Sequence, residues 1–207
     1  MIEIWLVRHA QSQNNAGPET ERQPDPALTS LGQWQADAVG RHLHESGPFD
    51  WRYVSAFRRA LETAAPYHHA APSIVQGFQI WNDVFEVGGC FAGYAPHNRR
   101  VEPGMTVEEI RERFPWAKPP ADWTAGGWNQ LTEFETMEAA IPRADRVKRA
   151  LHQLAVAAEQ RRSADKPIGR RQAARPDLLW DAVVGQPSRQ GHPRECRGAG
   201  AGLDATQ

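Results

Sequence analysis

The chain is expected to fold as an α/β protein with a mostly parallel sheet, on three observations. It begins with Met1-Ile2-Glu3-Ile4-Trp5-Leu6-Val7, rich in β-branched and aromatic residues, which reads as a short buried strand. Further short strand-like runs then alternate with longer segments whose apolar residues recur at helical spacing. Finally, Arg8-His9 arrives where the first strand must stop. In open α/β sheets ligands bind outside the carboxyl ends of the strands, so a permanent cation and a titratable nucleophile stand where a phosphate would dock.

Taken in order, Ala16 to Pro26 is a polar loop broken by Pro18, Pro24 and Pro26. Thr29 is the expected N-cap of a helix whose face is drawn by Leu31, Gln35, Val39 and Leu43. His42 and His44 are two residues apart on this helix, point in different directions and cannot share a metal. Phe49 to Ser55 reads as a second strand running into a helix with Arg58-Arg59 at its start. Backbone N–H groups and the helix dipole favour an anion at that junction. Pro66 is expected to kink or end this helix, and His68-His69 to lie exposed. Ser73-Ile74-Val75-Gln76 is the third strand candidate. Thr106 with Glu109 forms a capping box, and Val107, Ile110 and Phe114 line one face of the short helix that follows, stopped by Pro115. A long helix is expected from Glu135 to about Arg162, with Pro142 marking a break near its start.

Bulk properties narrow the function classes. A length of 207 residues is enough for one sizeable core, and a formal net charge of −1 gives no global case for nucleic acid or membrane binding. Cys90 and Cys196 are far apart and in no CxxC pattern, which argues against a disulfide framework or structural zinc. No metal-ligand cluster is seen, so neither a metal nor another cofactor is expected. No apolar run approaches membrane-spanning length, and Glu3 interrupts the only early one, so a cytoplasmic location is the expectation.

Arg8-His9-Ala10-Gln11-Ser12-Gln13-Asn14-Asn15 resembles the Arg-His-Gly-Glu-Ser-x-x-Asn signature of the histidine phosphatase superfamily, which includes the cofactor-dependent phosphoglycerate mutases. Ala10 and Gln11 depart from the usual Gly and Glu. Two further blocks follow in family order. Leu28-Thr29-x-x-Gly32-x-x-Gln35-Ala36 is similar to one of them. Ser55-x-x-x-Arg59-Ala60-x-x-Thr63-Ala64 is similar to the other and selects Arg59 rather than Arg58 as the phosphate-binding arginine. The resemblance implies a three-layer α/β/α sheet. It makes His9 the nucleophile and Arg8, Asn15 and Arg59 the phosphate ligands. Glu86, before Gly88-Gly89, becomes the proton donor, with Asp83 second. It also implies that residues 90–141 form a helical insertion over the site rather than sheet. Trp116, Trp123 and Trp128 there are read as lining that lid or, more commonly, as a small satellite core.

The expected reaction is hydrolysis of a small phosphorylated metabolite through phosphohistidine. The alternatives are a mutase-like phosphotransferase or a dead phosphate-binding module. The third arises because the family's late strand ending in His-Gly has no counterpart: after Lys166-Pro167-Ile168 the composition turns to Arg, Gly, Ala, Pro and Gln. His152 lies inside a helix and His192 precedes Pro193. Residues 1–168 are therefore read as the domain, and 169–207 as an atypical tail of the kind a shifted reading frame or altered terminus would give. That reading predicts a sheet lacking a central strand, and a weakened site. In its alternative the tail folds in its own way, with Leu178 to Val184 supplying a strand or helix and His192 reaching the site. Substrate and oligomeric state are not legible.

Overall fold

A computed structural model describes residues 2–70, 72, 77–123, 126–164 and 178–180. Five short strands form one parallel sheet: β1 (Trp5–Val7), β2 (Arg52–Val54), β3 (Phe78–Ile80), β6 (Ala117–Lys118) and β7 (Leu178–Trp180), in the order β1-β7-β2-β3-β6. A separate antiparallel hairpin pairs β4 (Phe91–Ala92) with β5 (Arg100–Val101). The helices are α1 (Gln13–Ala16), α2 (Ser30–Ser46), α3 (Arg58–Ala70), α4 (Val107–Arg113) and α5 (Met137–Ala164). Because all five strands of the main sheet run parallel, the chain leaves β1, β2 and β3 at the same edge.

α2 starts where Thr29 accepts a hydrogen bond from Gly32 N–H at 3.0 Å, the cap expected from the sequence. Its buried face matches the expected one at Leu43 and Val39 and departs from it elsewhere. Gly32, Ala36, Gly40 and Leu43 are buried, while Leu31 is 50% exposed. Small residues draw no hydrophobic stripe, yet they let α2 approach α3 closely. A Cβ on Gly40 would stand 2.9 Å from both Pro66 Cβ and the Tyr67 backbone nitrogen. Gly40→Ala should therefore lower unfolding free energy by about 1–2 kcal/mol. Overpacking against backbone costs about 1–3 kcal/mol and outweighs the helix-propensity gain of up to about 1 kcal/mol. Urea denaturation would measure it, and an unchanged midpoint would refute the tight contact.

Other expectations are corrected. Pro66 lies inside α3, which continues to Ala70, and Pro142 lies inside α5. Each proline forfeits the one N–H bond that its position would donate four residues back, and the helix runs on past it. The third strand is Phe78–Ile80, after Gly77 at φ +89°. The Ser73–Gln76 candidate lies outside the described residues. His68 is only half-exposed and stacks on Trp116 at 5.3 Å between ring centroids. The capping box of α4 forms as read, with Thr106 N–H donating to Glu109 Oε2 at 2.7 Å and Glu109 N–H donating to Thr106 Oγ1 at 3.2 Å.

The stretch 90–141 is not wholly outside the sheet, since β6 pairs with β3. Its tryptophans join the main core rather than a satellite. Trp116 and Trp128 are buried with Phe57, Phe78 and Ile110, and Trp123 packs against that cluster. The expectation that the sheet lacks a central strand is also overturned. Leu178–Trp180 occupies the place between β1 and β2, pairing Trp5 with Leu178 on one side and Arg52 with Leu178 on the other. The stretch read as the tail's one apolar island thus supplies a parallel strand. Lys166 to Ile168, the rest of the tail and His192 lie outside the described residues.

Candidate active site

The site is built at the carboxyl edge of the sheet. β1 delivers Arg8 and His9, the turn after β2 delivers Arg59 in the first turn of α3, and the irregular segment after β3 delivers Glu86. Asp25 caps α3 in trans, its Oδ1 accepting from Arg58 N–H at 2.8 Å. Thr63, fully buried one turn along, ties the end of β1 to the start of α3. Its hydroxyl donates to the Arg59 carbonyl at 2.6 Å and accepts from Ala10 N–H at 3.1 Å.

His9 is half-buried, and its Nδ1 lies 2.7 Å from the Ala10 carbonyl oxygen. A carbonyl can only accept, so Nδ1 carries the proton and Nε2 keeps its lone pair. Burial lowers the imidazole pKa to about 4, helped by the Arg59 and Arg8 cations and opposed by the Ala10 bond and Glu86. The ring is therefore neutral at pH 7. In an NMR titration of the free protein, His9 should protonate near pH 4. In Arg59→Gln the midpoint should rise, because a cation that opposed protonation is gone. A midpoint near 6.5 in both proteins would contradict the arrangement.

Arg59 is 3% exposed and lies over the Phe57 ring, its Cζ 3.7 Å from the centroid. Its Nη2 donates to Glu86 Oε2 at 2.9 Å. A second guanidinium, Arg22, stands 3.9 Å from the same oxygen and 4.5 Å above the Phe91 ring. Arg58 turns away: its Nε pairs with Glu62 Oε1 at 2.6 Å. Asp83 also turns away, gripped by Arg146 at 2.8 and 3.1 Å. The structure thus brings His9, Arg59 and Glu86 together and places Arg8, exposed, at the strand end. Asn15 caps α1. Its Oδ1 accepts from Ser12 N–H at 3.0 Å and Ser12 Oγ at 2.9 Å, which leaves the Nδ2 amide as its donor.

Sequence reasoning missed Arg22, Asp25 and Thr63 as parts of this site. Only Thr63 carried a signal, its place in the block after Arg59. Among the described residues no second histidine bonds to His9 or acts on it electrostatically, and no cluster of three His, Cys, Asp or Glu is arranged to hold a metal ion. No helix among them is long and apolar enough to cross a membrane.

A neutral histidine, a buried arginine and a carboxylate thus stand together at the carboxyl edge of a parallel α/β sheet. Residues 4–89 match the family model of the histidine phosphatase superfamily (branch 1). Over this segment the chain is similar to that superfamily. It is 37% identical over 90 residues to the PE-PGRS family protein PE_PGRS11 of Mycobacterium tuberculosis, covering 41% of this chain and 15% of that one. It is 43% identical over 62 residues to a 2,3-bisphosphoglycerate-dependent phosphoglycerate mutase of Bartonella henselae, covering 30% of each. The matches thus span less than a third of these curated relatives. In structure, the chain is similar to the ecdysone phosphate phosphatase of Bombix mori solved with tungstate. The TM-score is 0.52 at 16% identity, over 95% of this chain and 83% of that one, which is a likeness of fold.

Proposed function

We propose that the chain is a phosphomonoesterase acting through a phosphohistidine on His9, on a small phosphorylated metabolite in the cytoplasm. The observation that carries this reading is the His9 imidazole, neutral and with Nδ1 committed to the Ala10 carbonyl. That leaves Nε2 as a nucleophile beside a buried guanidinium. All five proposed residues, Arg8, His9, Asn15, Arg59 and Glu86, lie within residues 1–168, while the sheet that carries them also takes its central strand from Leu178–Trp180.

Arg8 and Arg59 offer N–H edges to the phosphoryl oxygens, and Asn15 adds a neutral donor. His9 Nε2 attacks phosphorus, a P–N bond forms, and the P–O bond to the leaving alcohol breaks. Glu86 gives its proton to the departing oxygen. In the free protein its carboxylate pairs with Arg59. Phosphoryl oxygens compete for that guanidinium and would free the carboxyl to turn toward the leaving oxygen. Water then attacks phosphorus, Glu86 accepts its proton, the P–N bond breaks and neutral His9 returns.

Rapid quench of the full chain with a phosphomonoester should trap a label on His9 that is acid-labile and base-stable. Turnover without any such label would end this reading. In Glu86→Gln, alkyl phosphates should slow by about 10²-fold or more, and aryl phosphates, whose leaving groups scarcely need a proton, much less. A uniform loss would count against Glu86 as the acid. The likeness to phosphoglycerate mutases supports a second reading, in which an alcohol rather than water takes the group. Dependence of turnover on a bisphosphorylated primer would select it.

A further inference from the structure

Glu86 sits in a segment with no regular structure, between β3 and the β4–β5 hairpin. Such a segment does not by itself hold a carboxyl to the few tenths of an ångström that proton transfer needs. Its own turns are sparse: Val84 N–H donates to the Trp81 carbonyl at 3.1 Å and Gly89 N–H to the Glu86 carbonyl at 3.1 Å. A side chain from a distant element supplies the rest. Arg143, near the start of α5, is buried, and its Nη1 donates to the carbonyls of both Asp83 (2.8 Å) and Phe85 (3.0 Å). Its Cζ lies 3.7 Å from the centroid of the Phe85 ring. The remaining edge of the guanidinium is taken by Glu135: Nε donates to Oε1 at 2.8 Å and Nη2 donates to Oε2. Glu135 is itself buried.

Every face of this guanidinium therefore has a task. Glu135 fixes its plane through a two-bond fork. The plane seats Phe85, and the free nitrogen holds the backbone on the N-terminal side of Glu86. We propose that Arg143, held by Glu135, is the positioning residue for the acid Glu86. It touches neither phosphate nor His9. Its effect is to set where the Glu86 carboxyl stands relative to the leaving oxygen. This inference rests on the reading of Glu86 as proton donor.

A positioning role of this kind has a signature that a merely structural one lacks. Arg143→Met keeps the buried aliphatic bulk and removes all the donors. Arg143→Lys keeps a cation for Glu135, but one ammonium cannot serve the carboxylate fork and both carbonyls together. In the full chain, each variant that folds should slow alkyl phosphates by about 10–10²-fold, the scale of a displaced catalytic group. Aryl phosphates should change by less than about threefold, and inhibition by inorganic phosphate should stay unchanged, because Arg59 and His9 are untouched. In a Glu86→Gln background, Arg143→Met should add no further alkyl-specific loss.

Equal losses with alkyl and aryl phosphates in folded Arg143 variants would overturn the proposal and leave Glu86 as the acid. The same holds for an additive loss in the double variant. Should Glu86→Gln itself show no leaving-group dependence, the reading of Glu86 falls and the positioning role falls with it. The two failures are told apart by which single variant shows them. Should both Arg143 variants fail to fold, Glu135→Gln decides. It weakens the fork but leaves the donors, so it should give a smaller loss of the same alkyl-selective kind, and a loss blind to the leaving group would refute the role.

Discussion

His9→Ala should lose turnover of every phosphomonoester by roughly 10⁴–10⁶-fold, the scale seen when a covalent nucleophile is deleted, while the protein stays folded. The reason is that no neighbouring group replaces it. Arg8 and Arg59 carry only N–H donors, the amide of Asn15 is no nucleophile, and the Glu86 carboxylate faces an arginine. The same substitution has a second, independent signature in stability. The folded-state pKa of His9 is depressed from 6.5 to about 4 by burial and by the nearby arginines. The stability it contributes is therefore fully present above about pH 6.5. It is lost as pH falls toward 4, because the unfolded chain takes up the proton first. That component amounts to about 3 kcal/mol at roughly 1.4 kcal/mol per tenfold change in proton affinity. Between pH 6.5 and 4 the wild-type protein should lose stability faster than His9→Ala, and parallel urea-denaturation curves across that range would contradict a buried neutral imidazole. The catalytic loss and the flattened pH dependence test different links, chemistry in one case and burial in the other.

How far the sequence foreshadows this arrangement depends on what each residue does for the pattern. His9, Arg59 and Glu86 stand in short blocks with fixed neighbours, so they were legible, and the structure brings them together. The third strand was not. The strand Phe78–Ile80 follows Gly77, at φ +89°, where a Cβ would lie 2.2 Å from the Trp116 carbonyl oxygen, a close approach that no periodicity announces. The buried face of α2 was legible only at Val39 and Leu43, because a helix that packs through glycine and alanine hides the rest of its inner side from hydrophobic periodicity. Arg22 and Arg143 were invisible for a different reason. One lies in a proline-rich loop and the other in a helix with many charges, and only the folded chain shows that one faces Glu86 and the other holds its backbone. The central strand at Leu178–Trp180 shows how weak a signal suffices when two neighbouring parallel strands leave a single gap between them.

Arg59 and Arg58 are adjacent and chemically identical, so they make the sharpest test of geometry against composition. Arg59→Ala should lower kcat/KM by about 10²–10³-fold, the cost of one preorganised donor to developing charge. Its guanidinium is buried, laid over Phe57, and already bonded to the carboxylate that the substrate must displace. Its loss also removes a cation that lowers the His9 pKa, so the acid limb of the pH–rate profile should move upward. Arg59→Lys should recover only part of the activity, because an ammonium keeps the charge but not the two-pronged edge that a phosphoryl group accepts. Arg58→Ala should change kcat/KM by less than about threefold, since its partner is Glu62 on the same helix and the pair is partly exposed. Equal losses at the two positions would mean that positive charge at the start of α3, rather than one guanidinium held in one orientation, is what the phosphate feels. Bidentate recognition by Arg59 would then be excluded, and the upward shift of the acid limb should appear in both variants instead of one.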